Sequence, residues 1–384
     1  MTVTSPSGFR AAGVAAGLKT SGKKDVAVII NDGPHCAAAA VFTSNRCKAN
    51  PVLWSQEAIK GGTAKAAVIN SGGANCYTGP EGFALTHATA ELAAEKLGVG
   101  AVDVQVMSTG LIGLLNDKDA LLGGVASAIA AASPADGADA AAGIMTTDTV
   151  PKQAVVHADG GWTVGGIAKG AGMLAPALAT MLVVVTTDAV ADSATLDAAL
   201  RTATAETFDR LDSDGCQSTN DTVLLMASGA AGVTPTVEAL TKYVTAVCRD
   251  LALQLLADAE GADHEIAIEV TGAASEADAL EVGRSVARSN LFKTAIFGKD
   301  PNWGRILASV GTTTAAFDPM DLDVSLNGVT VCRSSGPGEP AEGVDLSGRP
   351  VHVLIDLKSG AASATIWTND LTHAYVHENS AYST

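Results

Sequence analysis

Residues 181–185, Met-Leu-Val-Val-Val, are apolar without a break, and three of the five are β-branched. Such a run reads as a buried strand, Met181–Thr187. Residues 170–179 lead into it and contain only Gly, Ala, Met, Leu and Pro. The most apolar window, Met173 to Val185, is too short to cross a membrane and is interrupted by Pro176 and Thr180. The strand must therefore be covered by protein. The chain has the material: 384 residues, 47% hydrophobic and only 17% charged, enough for one large or two ordinary domains. Forty glycines and a 4% aromatic content mean small side chains, which suits close packing of helix and sheet layers.

Further strands are predicted at Val26–Ile30, Ala38–Phe42, Ala66–Ile69, Val104–Met107, Gln153–Val156 and Trp162–Lys169. Helices are predicted at Gly82–Leu97, with Phe83, Leu85, Ala88 and Leu92 near one stripe and Gly98 as the stop, at Asp119–Ala131, and at Ser193–Phe208 capped by Ser193. The second half repeats the mixture. It has a strand at Thr222–Met226, a helix at Val237–Asp258, an alternating strand at Glu265–Val270, a helix at Ser275–Arg288, and strands at Val324–Leu326 and Val351–Leu357. Ala362–Trp367 is expected to pair with that last strand across Lys358-Ser359-Gly360. Strands do not alternate one-for-one with helices, so a layered α+β fold is expected instead of a doubly wound parallel sheet.

A formal charge of −17 argues against nucleic acid and against a polybasic membrane contact. Cys36, Cys47, Cys76, Cys216, Cys248 and Cys332 form no C-x-x-C pair, so neither a disulfide framework nor a structural zinc site is expected. They read as small buried hydrophobes in a reducing compartment. The first residues lack the basic and apolar regions of a signal peptide, and a cytoplasmic protein is expected.

Several motifs are near misses. Gly17–Lys24 (GLKTSGKK) approaches a phosphate-binding loop, but Lys24 stands where a Ser or Thr would hold magnesium. No convincing apolar strand precedes it, and a surface loop is expected. His373 and His377 are spaced i, i+4 without an obvious third ligand. There is no G-x-S-x-G elbow.

Thr180 is a candidate nucleophile. On pattern alone it is a Thr that starts a strand. Its hydroxyl needs a base. Breaking the Ala179–Thr180 bond would place a new α-amine, of reference pKa ~7.7–8.0, beside that hydroxyl. One cleavage would supply nucleophile and base together. Thr109-Gly110, after a strand, is either an ordinary turn or a pair of oxyanion donors.

Lys169–Ala189 (KGAGMLAPALATMLVVVTTDA) resembles the self-cleaving segment of the ornithine acetyltransferase (glutamate N-acetyltransferase) family. Asn70–Asn75, Ser108–Gly113 and Met145–Thr149 are similar to the family's alpha-chain motifs. Asp212–Val223, Lys293–Ile306 and Trp367–Thr384 are similar to its beta-chain motifs. The match runs in order from about residue 8 to the end. Ala177-Leu178, where many relatives carry Asn-Met, and the ending His377–Tyr382 depart from the usual pattern.

The resemblance implies self-cleavage into an alpha chain (1–179) and a beta chain (180–384), in a layered α/β/β/α-type architecture and an α2β2 assembly. Thr180 takes the acetyl group from N2-acetyl-L-ornithine, and L-glutamate then accepts it, in the acetyl cycle of arginine biosynthesis. Thr109 and Gly110 form the oxyanion hole. Thr146, Lys169, Thr180, Glu260, Asn379 and Thr384 line the substrate site. No metal or tightly bound cofactor is implied. A cationic Lys169 with Thr146, Asn379 and Thr384 can hold a carboxylate. Glu260 can meet the ornithine ammonium or carry a proton; without the resemblance it reads as the solvent-facing end of the preceding helix. Acetyl-CoA as an additional donor, and a Thr-nucleophile aminopeptidase or amidase, stay open as alternatives.

Overall fold

The apolar run forms a strand, Leu182–Thr187, in which every side chain is buried. Val183 and Val185 point into a core shared with helices, whereas Leu182 and Val184 point into a core shared with a second sheet. An unbroken apolar sequence is what a strand covered on both faces requires.

The computed structural model describes residues 2–175 and 181–381. The first part of the chain runs β1 (Phe9–Val14), β2 (Val26–Asn31), β3 (Ala38–Phe42), α1 (Asn50–Ala58), β4 (Ala66–Asn70), α2 (Gly79–Leu97), β5 (Val104–Ser108), α3 (Lys118–Ala131), α4 (Gly137–Gly143), β6 (Lys152–Ala158), β7 (Trp162–Lys169) and β8 (Leu182–Thr187). It continues through α5 (Ser193–Glu206), β9 (Thr222–Ala227), α6 (Val237–Ala257), β10 (Glu265–Ala273), α7 (Glu276–Ala287), α8 (Asn290–Phe297) and α9 (Trp303–Val310). The last elements are β11 (Asp323–Leu326), β12 (Val329–Arg333), β13 (Gly336–Pro337), β14 (Pro350–Asp356), β15 (Ala362–Asn369) and α10 (His373–Ala381).

One sheet has the order β3-β9-β8-β7-β6 and a second the order β1-β2-β4-β5. Their inner faces meet through Ile29, Ile69, Met107, Ile167, Val184 and Leu224. Helices α2 and α3 cover the outer face of the second sheet, and α5 and α6 cover that of the first. The result is the expected α+β fold in four layers, α/β/β/α. The third sheet, β13-β12-β11-β14-β10-β15, has its own core with α7, α8 and α9 and was not foreseen as a unit. Among the described residues no helix is long and apolar enough to cross a membrane.

The structure corrects several expectations. Strand β1 is present ahead of Gly17; its small residues carry little intrinsic strand preference, and pairing along the whole of β2 makes the strand. Helices α1 and α4 were not predicted either. Phe83 is exposed, and α2 instead buries Gly82, Leu85, Thr86, Thr89, Ala90, Ala93 and Ala94. Asp192, not Ser193, caps α5, its side chain accepting from the Thr195 amide at 2.7 Å. β15 does not pair with β14. Both flank β10, which is parallel to β14 and antiparallel to β15. Cys76, Cys248 and Cys332 are buried as expected, but Cys47 and Cys216 are exposed.

Candidate active site

Strand β5 ends at Ser108, and the following turn is held by Asn70 at the end of neighbouring β4. Thr109 N donates to Asn70 O at 2.9 Å, and Ser108 Oγ donates to Asn70 Oδ1 at 2.5 Å. Gly110 has φ +123°, and a Cβ there would lie 2.9 Å from Gly72 O. Both conformation and space require glycine. Gly110→Ala is expected to lower turnover at least about tenfold and to destabilise by more than about 1 kcal/mol, checked by steady-state kinetics and urea melts.

Lys169 closes β7 and is 1% exposed. Its Nζ donates to Thr146 Oγ1 at 2.6 Å and to Thr109 Oγ1 at 3.2 Å. Burial pulls this ammonium below its ordinary value, opposed chiefly by Asp148. Asp148 clamps the two segments that carry these donors. Its Oδ2 accepts from Thr146 N at 2.9 Å and its Oδ1 from Gly170 N at 2.6 Å. Lys152, fully buried, bridges Asp148 to Asp258. Burial opposes ionisation of Asp148, but Lys169, Lys152 and the Gly170 amide outweigh it and hold the carboxyl at about 2, below the ordinary 3.8.

A carboxyl depressed in the folded state stabilises above its unfolded value, and that stability is lost as pH falls through the folded one. Denaturant melts from about pH 4 down through about pH 2 should therefore show wild type losing roughly 2 kcal/mol more than Asp148→Asn.

A cavity of about 180 Å³ is lined by Thr109, Gly110, Thr146, Lys169, Glu260 and Asn379, six of the residues expected from sequence. Ala179, Thr180 and Thr384 lie outside the described residues. Glu260 follows the end of α6 and does not simply face solvent. Its amide donates to Ala171 O at 2.9 Å, and a Cβ on Gly172 would come within 2.6 Å of its carboxylate. Asn379 reaches the cavity from α10, its Nδ2 donating to Tyr375 O at 3.0 Å.

Sequence reasoning gave no role to Asp148, Asp214, Cys216 or Tyr375. Asp214, Cys216 and Tyr375 line the cavity, and Asp214 Oδ2 accepts from Met173 N at 2.6 Å. Each of the four sits inside a family-like motif; its role needs the fold, because only there do the segments meet.

The near-miss motifs find structural explanations. The amides of Ala16, Leu18 and Lys19 all donate to the Asp25 carboxylate. The Gly17–Lys24 loop thus already holds an anion of its own chain. His373 and His377 share α10, and among the described residues no group of three or more His, Cys, Asp or Glu is placed to hold a metal.

The assembled groups suit acyl transfer to or from a small charged molecule. The Thr109-Gly110 turn can stabilise an oxyanion, a buried lysine is flanked by two threonine hydroxyls, and a carboxylate stands across the cavity. The ArgJ family model matches residues 10–384. The chain is 61% identical over 383 residues to the arginine biosynthesis bifunctional protein ArgJ of Streptomyces avermitilis, covering 100% of both chains. It is 59% identical to the Thermobifida fusca protein of that name, again over 100% of both. Among solved structures, ornithine acetyltransferase of Mycobacterium tuberculosis complexed with ornithine is 53% identical, with a TM-score of 0.45, over 47% of this chain and 96% of that one. The chain belongs to the ArgJ family.

Proposed function

We propose that the protein is an acyltransferase of arginine biosynthesis that moves the acetyl group of N2-acetyl-L-ornithine to L-glutamate. The observation that carries this reading is the single cavity in which Thr109, Gly110, Thr146, Lys169, Glu260 and Asn379 meet. The precursor cuts itself between Ala179 and Thr180 into chains 1–179 and 180–384, which assemble as α2β2 in the cytoplasm. The freed α-amine takes the proton of the Thr180 hydroxyl. The hydroxyl oxygen attacks the acetyl carbonyl, and the oxyanion is held at Thr109 and Gly110. The C–N bond breaks, ornithine leaves with the proton on its amine, and acetyl-Thr180 remains. The α-amine of glutamate then attacks that ester, giving N-acetyl-L-glutamate and regenerating the hydroxyl.

Lys169, with Thr146, Asn379 and Thr384, holds the substrate carboxylate, and Glu260 meets the side-chain ammonium of ornithine. The word "bifunctional" in the relatives' names favours acetyl-CoA as an additional donor.

The test is ornithine release from N2-acetylornithine with and without glutamate. Glutamate-dependent release with formation of N-acetylglutamate is the expected result. Release that ignores glutamate and yields acetate would make the protein an amidase instead. Acetyl-CoA offered with glutamate decides the additional donor.

A further inference from the structure

Asn70 accepts from Ser108 Oγ and Thr109 N, but the carbonyls of Ser108 and of Ala74, on the segment after β4, are held from elsewhere. The Nδ2 of Asn220 donates to Ser108 O and to Ala74 O, each at 2.7 Å. Its Oδ1 accepts from Thr219 Oγ1 at 2.6 Å, which fixes the orientation of the amide. Asn220 is 4% exposed, so no water competes for these bonds. The Asn220 amide therefore spans two stretches of chain, the end of β5 just ahead of Thr109 and the segment that follows β4.

The next residue ties the same segment to the opposite side of the site. Asp221 Oδ1 accepts from Met181 N at 3.1 Å, and Thr222 N donates to Met181 O at 3.2 Å. Met181 is the residue covalently attached to Thr180. Asp221 is fully buried, and burial pushes its carboxyl well above the usual range. The Asn-Asp pair just ahead of β9 thus links the end of β5, before the proposed oxyanion turn, to the entry of β8.

We infer that Asn220 is a positioning residue for the acyl-transfer reaction: its side-chain amide sets the Thr109-Gly110 turn relative to the start of β8, with Asp221 as the second anchor. The inference rests on reading Thr109 and Gly110 as the oxyanion donors. Asn220 does not touch substrate; it acts through the turn, on the step in which charge develops.

Asn220→Asp keeps the size and removes both N–H donors, and Asn220→Ala removes them without adding a charge. The expected result is a fall in kcat of about 10- to 100-fold with KM for N2-acetylornithine within about threefold of wild type. The melting temperature of the alanine variant should stay within a few degrees. Unchanged kcat in a folded alanine variant overturns the inference. So does failure of both variants to fold, since Asn220 would then serve the fold and not the turn. Wild-type enzyme is run beside them: if it makes no N-acetylglutamate, the acetyl-transfer reading has failed, independently of Asn220.

Discussion

Freshly purified Thr180→Ala is expected to run as one species of 38.4 kDa and to release no ornithine. Wild type should instead give two chains, 1–179 and 180–384, on a denaturing gel and by intact mass. The two losses share a cause. Without the hydroxyl there is no group to attack the Ala179 carbonyl, and none to carry acetyl afterwards. Removal of a covalent nucleophile costs on the order of 10⁴-fold or more in turnover. Thr180→Ser keeps a hydroxyl and should retain part of both activities. A Thr180→Ala chain that still divides at the same bond would refute self-cleavage.

Lys169→Met is expected to reduce kcat/KM for N2-acetylornithine by about 10²–10³-fold, because truncating one partner of a buried, hydrogen-bonded charge costs about 2–5 kcal/mol. The ammonium donates to Thr109 and Thr146 on two separate segments. Under the proposed mechanism its loss removes the cation for the substrate carboxylate and one hydrogen bond to the proposed oxyanion turn. It also leaves Asp148 with Lys152 as its nearer cation. KM for donor and acceptor should rise together, since both carry an α-carboxylate. A change confined to one substrate would contradict a shared carboxylate site. Steady-state kinetics with each substrate varied in turn makes the measurement.

Local chemistry made much of this legible in the chain itself. The apolar run before Val185, the strand Trp162–Lys169 and the Gly98 helix stop need only neighbours in sequence to be read. The Gly98 stop is in the left-handed region at φ +68°, as a helix-ending glycine should be. Thr109, Gly110, Thr146, Lys169, Glu260 and Asn379 owe their expected roles to the family resemblance, and the fold brings all six around one cavity.

Errors arose where two surfaces compete for one element. Phe83 and Leu85 both lie on α2, and only the position of α3 and the second sheet decides that Leu85 is buried and Phe83 exposed. Ala362–Trp367 follows β14 after a short turn, yet β10 lies between them because it offers a longer ladder, from Glu265 to Ala273.

The residues around Thr180 show the same division. Sequence by itself determined the buried strand, because that depends on residue type and spacing; Thr180 and the polar side chains around it are assigned through the family resemblance and the proposed chemistry. Tertiary structure decided what holds them. Asp148 bonds to Thr146 and Gly170 at once, and Asn220 bonds across to Ala74 and Ser108. The reason is physical: a hydrogen bond acts over about 3 Å, and its partners here are more than a hundred residues apart in the case of Asn220. No pattern within one segment records such a pairing.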